Sequence, residues 1–464
     1  MRVVAIGALG LYALASQAQG GSDTGLAMTL DLDQRFGVDT NDGLTSGGEE
    51  NSNISSTQLT FGLTADTPVD SLSLIASGDF RITDGPDNPG TDFGVDSALF
   101  RLSYARDTGN SALTFRTNYR LSDVDTTLPF SDFIDPDTGD IVLPDDLDNL
   151  NGTGTRRSMG FNGSLDLFKN APIGLILNAS HNTLTYSNTT DPGLYRTERI
   201  NLGATVRLTF SPVLEGNLNV DHSTYDAEDV DLTERYTNSA SFGLIYSASP
   251  IAEYHGNIGY SITDEDEGIG IARITTRNEG VIGSFGAFYE RPNGRINPEI
   301  SSNVSNNGRR NTLNVARVFD LPNASLSGSL GVTRGGADET NIIGSLSFTQ
   351  MIPTGDITAQ LNRYIADDSN DDERLYSALS IGYSHEINSY SNLDLRTSFT
   401  TSNTTAKTDL NTRIRASAIY TYSMTKDWNL NTGYIFRQRD DANSARADSH
   451  AVFFGIGRKW DLQK

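Results

Sequence analysis

The sequence predicts an all-β chain: a transmembrane, antiparallel up-and-down β-barrel of about 22 strands, within a range of roughly 20–24. Three observations predict it. Apolar and polar residues alternate with a period of two over runs of about ten residues, longer than the five or six usual in soluble strands. Tight turns alternate with longer connections along almost the whole chain. Aromatic residues collect beside the tight turns. No long helical period appears after the first few residues. A barrel must close, because a bilayer offers no water to satisfy a free strand edge.

The chain has 464 residues, a formal net charge of -24, 44 glycines, five histidines and no cysteine. Its acidity excludes nucleic acid as a partner, since phosphate binding needs a basic surface. Residues 1–18 read as a secretory signal peptide: Arg2, an apolar run from Val3 to Ala15, then Ser16-Gln17-Ala18. That run is too short for a spanning helix, which needs about 20 residues. Residues 19–464 are then a single barrel domain.

The first strand is expected in "LAMTLDLDQRF" from Leu26. "SALFRLSYAR" sets Phe100, Leu102 and Tyr104 against Arg101 and Ser103. "RINLGATVRLTF" sets Ile200, Leu202, Val206 and Phe210 against Asn201, Thr205 and Arg207. "ASLSGSLGV" sets Leu326, Leu330 and Val332 against serines, and "RIRASAIYTY" sets Ile414, Tyr420 and Tyr422 against Arg413, Arg415 and Thr421. Tight turns are expected near Pro68, Asp107–Asn110, Asn170–Pro172, Ser211–Glu215, Ser249-Pro250, Pro292, Pro322, Pro353, Asn388–Ser391 and Thr425–Asp427. Asn323 or Gly355 can supply a positive φ. Pro298 cannot donate to a ladder, so a strand start or bulge is expected there. Short turns belong to the periplasmic side of such barrels and longer loops to the outside. Tyr104, Phe210, Tyr246, Tyr289, Phe319, Tyr422, Trp428 and Trp460 then form an aromatic girdle at one membrane interface.

Function in a barrel lies in the lumen, the loops and any plug. A TonB-dependent receptor carries a large N-terminal plug; here strand alternation starts just after the signal, so none is expected. The predicted lumen face carries Arg81, Arg101, Arg116, Arg120, Arg207, Arg396, Arg413 and Arg415, with Asp31, Asp33, Asp79 and Asp166. Asp221 and Asp394 share that face. Such a lining can screen an ionic pore, or the charges can pair merely to fill a polar interior. The longest loop, residues 122–155, holds nine aspartates. Its acids Asp132, Asp135, Asp137, Asp140, Asp145, Asp146 and Asp148 read either as an inward constriction or as a solvated outer loop. Asp135, Asp137 and Asp146 share an EF-hand spacing, but the glycine is misplaced and position twelve is not glutamate, so no metal site is expected. Acids at 226–231, 264–267 and 367–373 are expected in other outer loops, where they suit divalent bridging to lipopolysaccharide or plain solubility. His181, His222 and His450 fall toward the outer rim, His255 and His385 toward the tight turns. No GxSxG or HExxH motif occurs, so neither a catalytic residue nor a cofactor is expected.

The C-terminus reads "YSMTKDWNLNTGYIFRQRDDANSARADSHAVFFGIGRKWDLQK". Its Trp428–Tyr434 strand, its exit at Arg437 and Arg439, and its last strand with Val452, Phe454, Ile456 and Trp460 resemble the closing hairpin of Gram-negative outer-membrane β-barrel porins. Barrels associated with exopolysaccharide systems are included in that resemblance. Asp461–Lys464 follow Trp460 where such chains usually end on an aromatic residue. The resemblance implies an outer-membrane location, lipid and lipopolysaccharide as surroundings, and the outer-membrane assembly machinery as a partner in biogenesis. It implies a channel for passive passage of ions or small polar solutes. An exopolysaccharide export pore or a loop-sealed surface barrel remains open beside it.

Overall fold

The computed structural model describes residues 25–47, 51–85, 88–124, 146, 154–268, 273–335, 339–367, 373–404, 410–442 and 445–463, with no side-chain description for 88–93, 96, 367 and 463. The signal-peptide segment lies outside these residues, as do Asp132, Asp135, Asp137, Asp140, Asp145 and Asp148.

Every regular element among the described residues is a strand. In chain order they are β1 (Gly25–Asp39), β2 (Ser52–Asp66), β3 (Asp70–Gly85), β4 (Asn88–Asp107), β5 (Ser111–Asp123), β6 (Thr155–Leu167), β7 (Ile173–Ser187), β8 (Thr197–Ser211), β9 (Leu214–Ala227), β10 (Glu234–Ser249) and β11 (Ala252–Glu267). There follow β12 (Ile274–Arg291), β13 (Gly294–Ser305), β14 (Gly308–Leu321), β15 (Ala324–Arg334), β16 (Thr340–Ile352), β17 (Gly355–Asp367), β18 (Glu373–Asn388), β19 (Ser391–Thr404), β20 (Asn411–Ser423), β21 (Trp428–Asp440) and β22 (Ala447–Gln463). They make one 22-stranded sheet. It closes on itself: β1 pairs antiparallel with β2 on one side and with β22 on the other, with one register shift at Met28/Thr29. Closure leaves no free edge, which is what a strand-built membrane span requires.

All ten expected tight turns are present, from 67–69 between β2 and β3 to 424–427 between β20 and β21. Two have a glycine requirement. Gly294 follows Pro292-Asn293 with φ 118°, and a Cβ there would lie 2.1 Å from the Val318 carbonyl oxygen. Gly355 follows Pro353-Thr354, and a Cβ would lie 1.9 Å from the Ser384 oxygen. Asn323 is not among the residues of positive φ.

Three expectations need correction. Connections at the other end are not uniformly longer, since β13 and β14 are joined through Asn306-Asn307 alone. At this tight connection Gly308, the residue after the two asparagines, takes φ 90°, as in a turn closed by a glycine bulge. Pro298 sits inside β13, opposite Val315 of β14. Its missing N–H is accommodated on the other side, where pairing with β12 is interrupted between Gly286↔Glu299 and Tyr289↔Ile296. Asp264–Glu267 extend β11 rather than forming a loop: Arg277 approaches Asp264 to 3.5 Å from the neighbouring strand, and Arg273 bonds Asp266 at 2.9 Å. Opposite charge on the adjoining chain lets the ladder continue.

The exposed side of the wall is apolar. Leu202, Val220, Ile258, Phe285, Leu330 and Val452 are all at least half exposed. Each would forgo roughly 1.5–3 kcal/mol of burial in water, so the band belongs in hydrocarbon. No helix among the described residues is long and apolar enough to cross a membrane, and crossing falls to the strands. Leu330, 68% exposed near the middle of β15, makes a test. Leu330→Arg should lower the unfolding free energy of the bilayer-folded barrel by about 2–4 kcal/mol. An unchanged urea titration in liposomes would place Leu330 off the lipid face.

Contacts group the wall into two units. One comprises residues 1–102, 119–156 and 347–464; the other comprises 103–118 and 157–346.

Candidate functional site

The inward face follows from strand parity, because successive side chains point to opposite sides. In β1, Phe36 and Val38 are exposed, which puts Asp31, Asp33, Arg35 and Asp39 on the inner face. The same reading from Phe80, Phe100, Leu113, Met159, Leu202, Leu395 and Tyr420 puts Asp79, Arg81, Arg101, Arg116, Arg120, Asp166, Arg207, Asp394, Arg396, Arg413 and Arg415 inward. Every candidate lining residue thus lies opposite an exposed apolar row. The eight girdle aromatics share the outward parity and stand near the tight turns, with Phe210, Tyr246 and Tyr422 well exposed. Tyr289 and Tyr254 meet edge to face, with hydroxyls 3.3 Å apart.

One polar cluster of the first unit stands where β1, β3, β21 and β22 meet the run after Asp39. The Asp39 carboxylate accepts from an Arg437 guanidinium nitrogen at 2.6 Å, from Ser449 Oγ at 2.6 Å and from the Asn41 N–H at 3.0 Å. Arg81, on β3, donates to the Asp42 carboxylate, and Arg437, on β21, donates to the Asp42 carbonyl at 3.1 Å. Asn41 Nδ2 reaches the Thr45 and Asp448 carbonyls at 2.8 and 3.1 Å. Residues 40–47 are therefore held at both sides by inward-parity side chains, Arg81 of β3 and Arg437 of β21. Leu44 packs there at 1% exposure with φ 47°, a strained backbone for a leucine that the surrounding pins hold in place.

Several inward-parity residues of the first unit are buried. Ser122, Tyr376, Ser402 and Ser449 are all buried, as are Arg374 and Thr400. Arg413 stands opposite Arg439, and Arg415 opposite Arg437, so two rungs of β20 and β21 carry four guanidinium groups. Acids answer part of this charge: Asp39 takes Arg437, and Asp441 takes Arg439 at 3.2 Å. Deeper in the wall, Asn431 donates to Asp33 at 3.2 Å, and Arg35 stacks on Phe453 at 5.2 Å.

Asp146 is the one described acid of the long loop beyond residue 124. It is 3% exposed and takes both Arg156 Nε and a terminal nitrogen, at 2.6 and 2.9 Å. Its carboxylate is committed to this bidentate pair, which bears on both earlier readings of it, as a solvated acid and as the twelfth position of a cation loop.

In the second unit, Arg207 faces Asp166 with two contacts of 3.3 Å. Arg199 and Arg235, on the strands either side of Tyr225, both stack on its ring, each 5.2 Å from the centroid, and Arg235 also pairs with Glu265 at 2.6 Å. On the outer connections, hydrogen bonds to Glu228 hold the Arg196 guanidinium above its ordinary value, and those to Glu234 and Asp266 do the same for Arg273. The histidines have local partners: His181 meets Glu198 at 2.9 Å, His222 meets Asn238 at 2.8 Å, His450 meets Tyr434 at 2.7 Å and His385 meets Thr354 at 3.2 Å. His255 lies against Phe288.

Arg35, Asp39, Asp42, Arg199, Tyr225 and Arg235 were not singled out from the sequence. For Arg35, Asp39 and Arg199 the signal was available, since they share the parity of Asp31, Asp33 and Arg207. For Asp42 it was not, because the residue lies beyond the strand where parity stops.

No protein-family model matches the chain, and no curated protein sequence matches it. Solved structures do. The FrpB iron transporter from Neisseria meningitidis superposes with a TM-score of 0.58 at 8% identity, over 96% of this chain and 84% of that one. The siderophore receptor PiuA from Acinetobacter baumannii gives 0.55 at 10% identity, over 95% and 82%. The ferric-catecholate import receptor Fiu from E. coli K12 gives 0.55 at 8%, over 93% and 81%. These neighbours belong to the receptor class that the sequence set aside for want of a plug, so the porin-like resemblance narrows to the wall. At such identities the likeness is one of fold: the chain is a 22-stranded β-barrel of the bacterial outer-membrane type.

Proposed function

We propose that this barrel is an outer-membrane pore for passive passage of ions or small polar solutes, with its loop-side mouth narrowed by residues 40–47. The observation that carries the reading is the inner wall, where arginines and aspartates share the strand face opposite the exposed apolar rows. A polar, charged lining keeps water and selects permeants by fixed charge. Among the described residues the elements are wall strands alone, whereas active import of an iron chelate needs an internal gate.

A sealed surface barrel is the second reading, favoured by the burial of Tyr376, Ser402 and Ser449 on the inward face. Export of a polysaccharide has less support: sugar passage wants open aromatic faces, and inward Tyr225 and Phe453 are buried under guanidinium groups.

Planar-bilayer recording of the folded barrel tests the proposal. Stable conductance steps are expected, and Arg437→Gln should shift the reversal potential in a salt gradient toward greater cation preference. A folded barrel without conductance would support the sealed reading instead.

A further inference from the structure

The chain has two tryptophans, and both stand at one place. Trp428 opens β21 and Trp460 lies near the end of β22, on the outward face with Val452 and Phe454. Arg458 shares that outward parity and is directly opposite Trp428 in register. Its guanidinium lies 5.0 Å from the Trp428 ring centre and 4.7 Å from that of Trp460. The site is at the tight-turn end of the wall, where the Lys459 N–H donates to the Asp427 carbonyl of the 424–427 turn at 2.9 Å.

Arg458 has aromatic neighbours, but among the described residues no carboxylate lies within ion-pair distance of it, and its Nε is buried without a hydrogen-bond acceptor. The acid next along the strand, Asp461, is engaged by Lys426 at 3.7 Å. Two other outward arginines do find protein partners: Arg277 takes Asp264 and Glu279, and Arg317, stacked on Phe319, donates to Asn293 at 2.6 Å. An outward guanidinium at the border of the apolar band, stacked on two indoles and lacking a counter-ion, is suited to a phosphate. Indoles prefer the headgroup level. Stacking holds the guanidinium plane while its edge nitrogens remain able to donate to phosphate oxygens.

We propose that Arg458, Trp428 and Trp460 form a binding site for the phosphodiester headgroup of an anionic phospholipid in the leaflet at the tight-turn end. The two rings grip the glycerol and upper acyl region, and Arg458 donates to the phosphate. A net-negative lipid is preferred over a zwitterionic one, because it alone neutralises the otherwise uncompensated arginine.

The tryptophans supply the readout. The barrel is folded into phosphatidylcholine vesicles containing, at equal mole fraction, either brominated phosphatidylglycerol or brominated phosphatidylcholine, and tryptophan quenching is compared. Phosphatidylglycerol should be enriched at the site about fivefold, the change matching about 1 kcal/mol for one arginine near an anionic headgroup. Arg458→Gln should abolish the preference, and Arg458→Lys should retain part of it. Heat-modifiable migration confirms that each variant is folded; if Arg458→Gln does not fold, loss of preference on raising salt in the unchanged barrel replaces it. Equal quenching by the two lipids, or a preference that survives in Arg458→Gln, overturns the proposal. So does abolition of the preference by inorganic phosphate at matched ionic strength, which would assign the site to free phosphate.

Discussion

Asp39→Ala is expected to destabilise the barrel by about 3–5 kcal/mol, the usual penalty for removing one partner of a buried ion pair. Asp39 is 3% exposed and holds Arg437, Ser449 and the Asn41 N–H together. Without it, Arg437 keeps Ser449 at 3.1 Å and a more distant Asp42 carboxylate at 3.8 Å. The loss falls beside the closing pair of strands, since Asp39 is opposite Ala451 in the β1–β22 ladder. Urea unfolding in liposomes should therefore show a lower midpoint, and unheated samples should migrate partly as the unfolded form. Asp39→Asn, which keeps an acceptor for Ser449 and Asn41, should lose less. An Asp39→Ala barrel within 0.5 kcal/mol of the parent, the range of ordinary surface substitutions, would show that residues 40–47 are not pinned by this cluster. Reduced pinning should also widen the mouth, so single-channel conductance rises in whatever fraction of Asp39→Ala folds.

The Asp146–Arg156 pair should behave as a tether. Both groups are buried and the contact is bidentate, a geometry in which charge-assisted hydrogen bonds are strongest. Asp146→Ala should cost about 3–5 kcal/mol locally, seen as rapid cleavage near position 146 by external protease. Conductance should change in the same variant if the tether shapes the mouth. The compensated double substitution Asp146→Leu/Arg156→Met should recover most of the protease resistance, because replacing a whole buried pair with apolar side chains is often neutral or better. Equal protease sensitivity in the single variant and the parent would remove the tether from the account.

Much of the wall was legible in the linear sequence. Alternation such as that of Leu326, Leu330 and Val332 reports which side of a strand meets lipid, since the side-chain period is a local property of the pleat. Pro292, Pro322 and Pro353 mark turns for an equally local reason: proline presets φ and cannot extend a ladder. The less legible parts each depended on a neighbour. Pro298 sits inside β13 because only its β12 side gives up pairing. The run Asp264–Glu267 stays in β11 because Arg277 and Arg273 come alongside.

Strand parity along the chain was sufficient to assign an apolar exterior and a polar interior, because each depends on residues two apart. The narrowing at the loop end could not be assigned that way. The sequence drew attention to the most acidic loop, of which the described residue Asp146 pairs with Arg156, but it gave no sign of the short run 40–47. Asp39 and Arg437 are 398 positions apart and meet because β22 returns to pair with β1. Closure of the sheet, a long-range event, sets which carboxylate reaches which guanidinium and hence which connection those side chains hold.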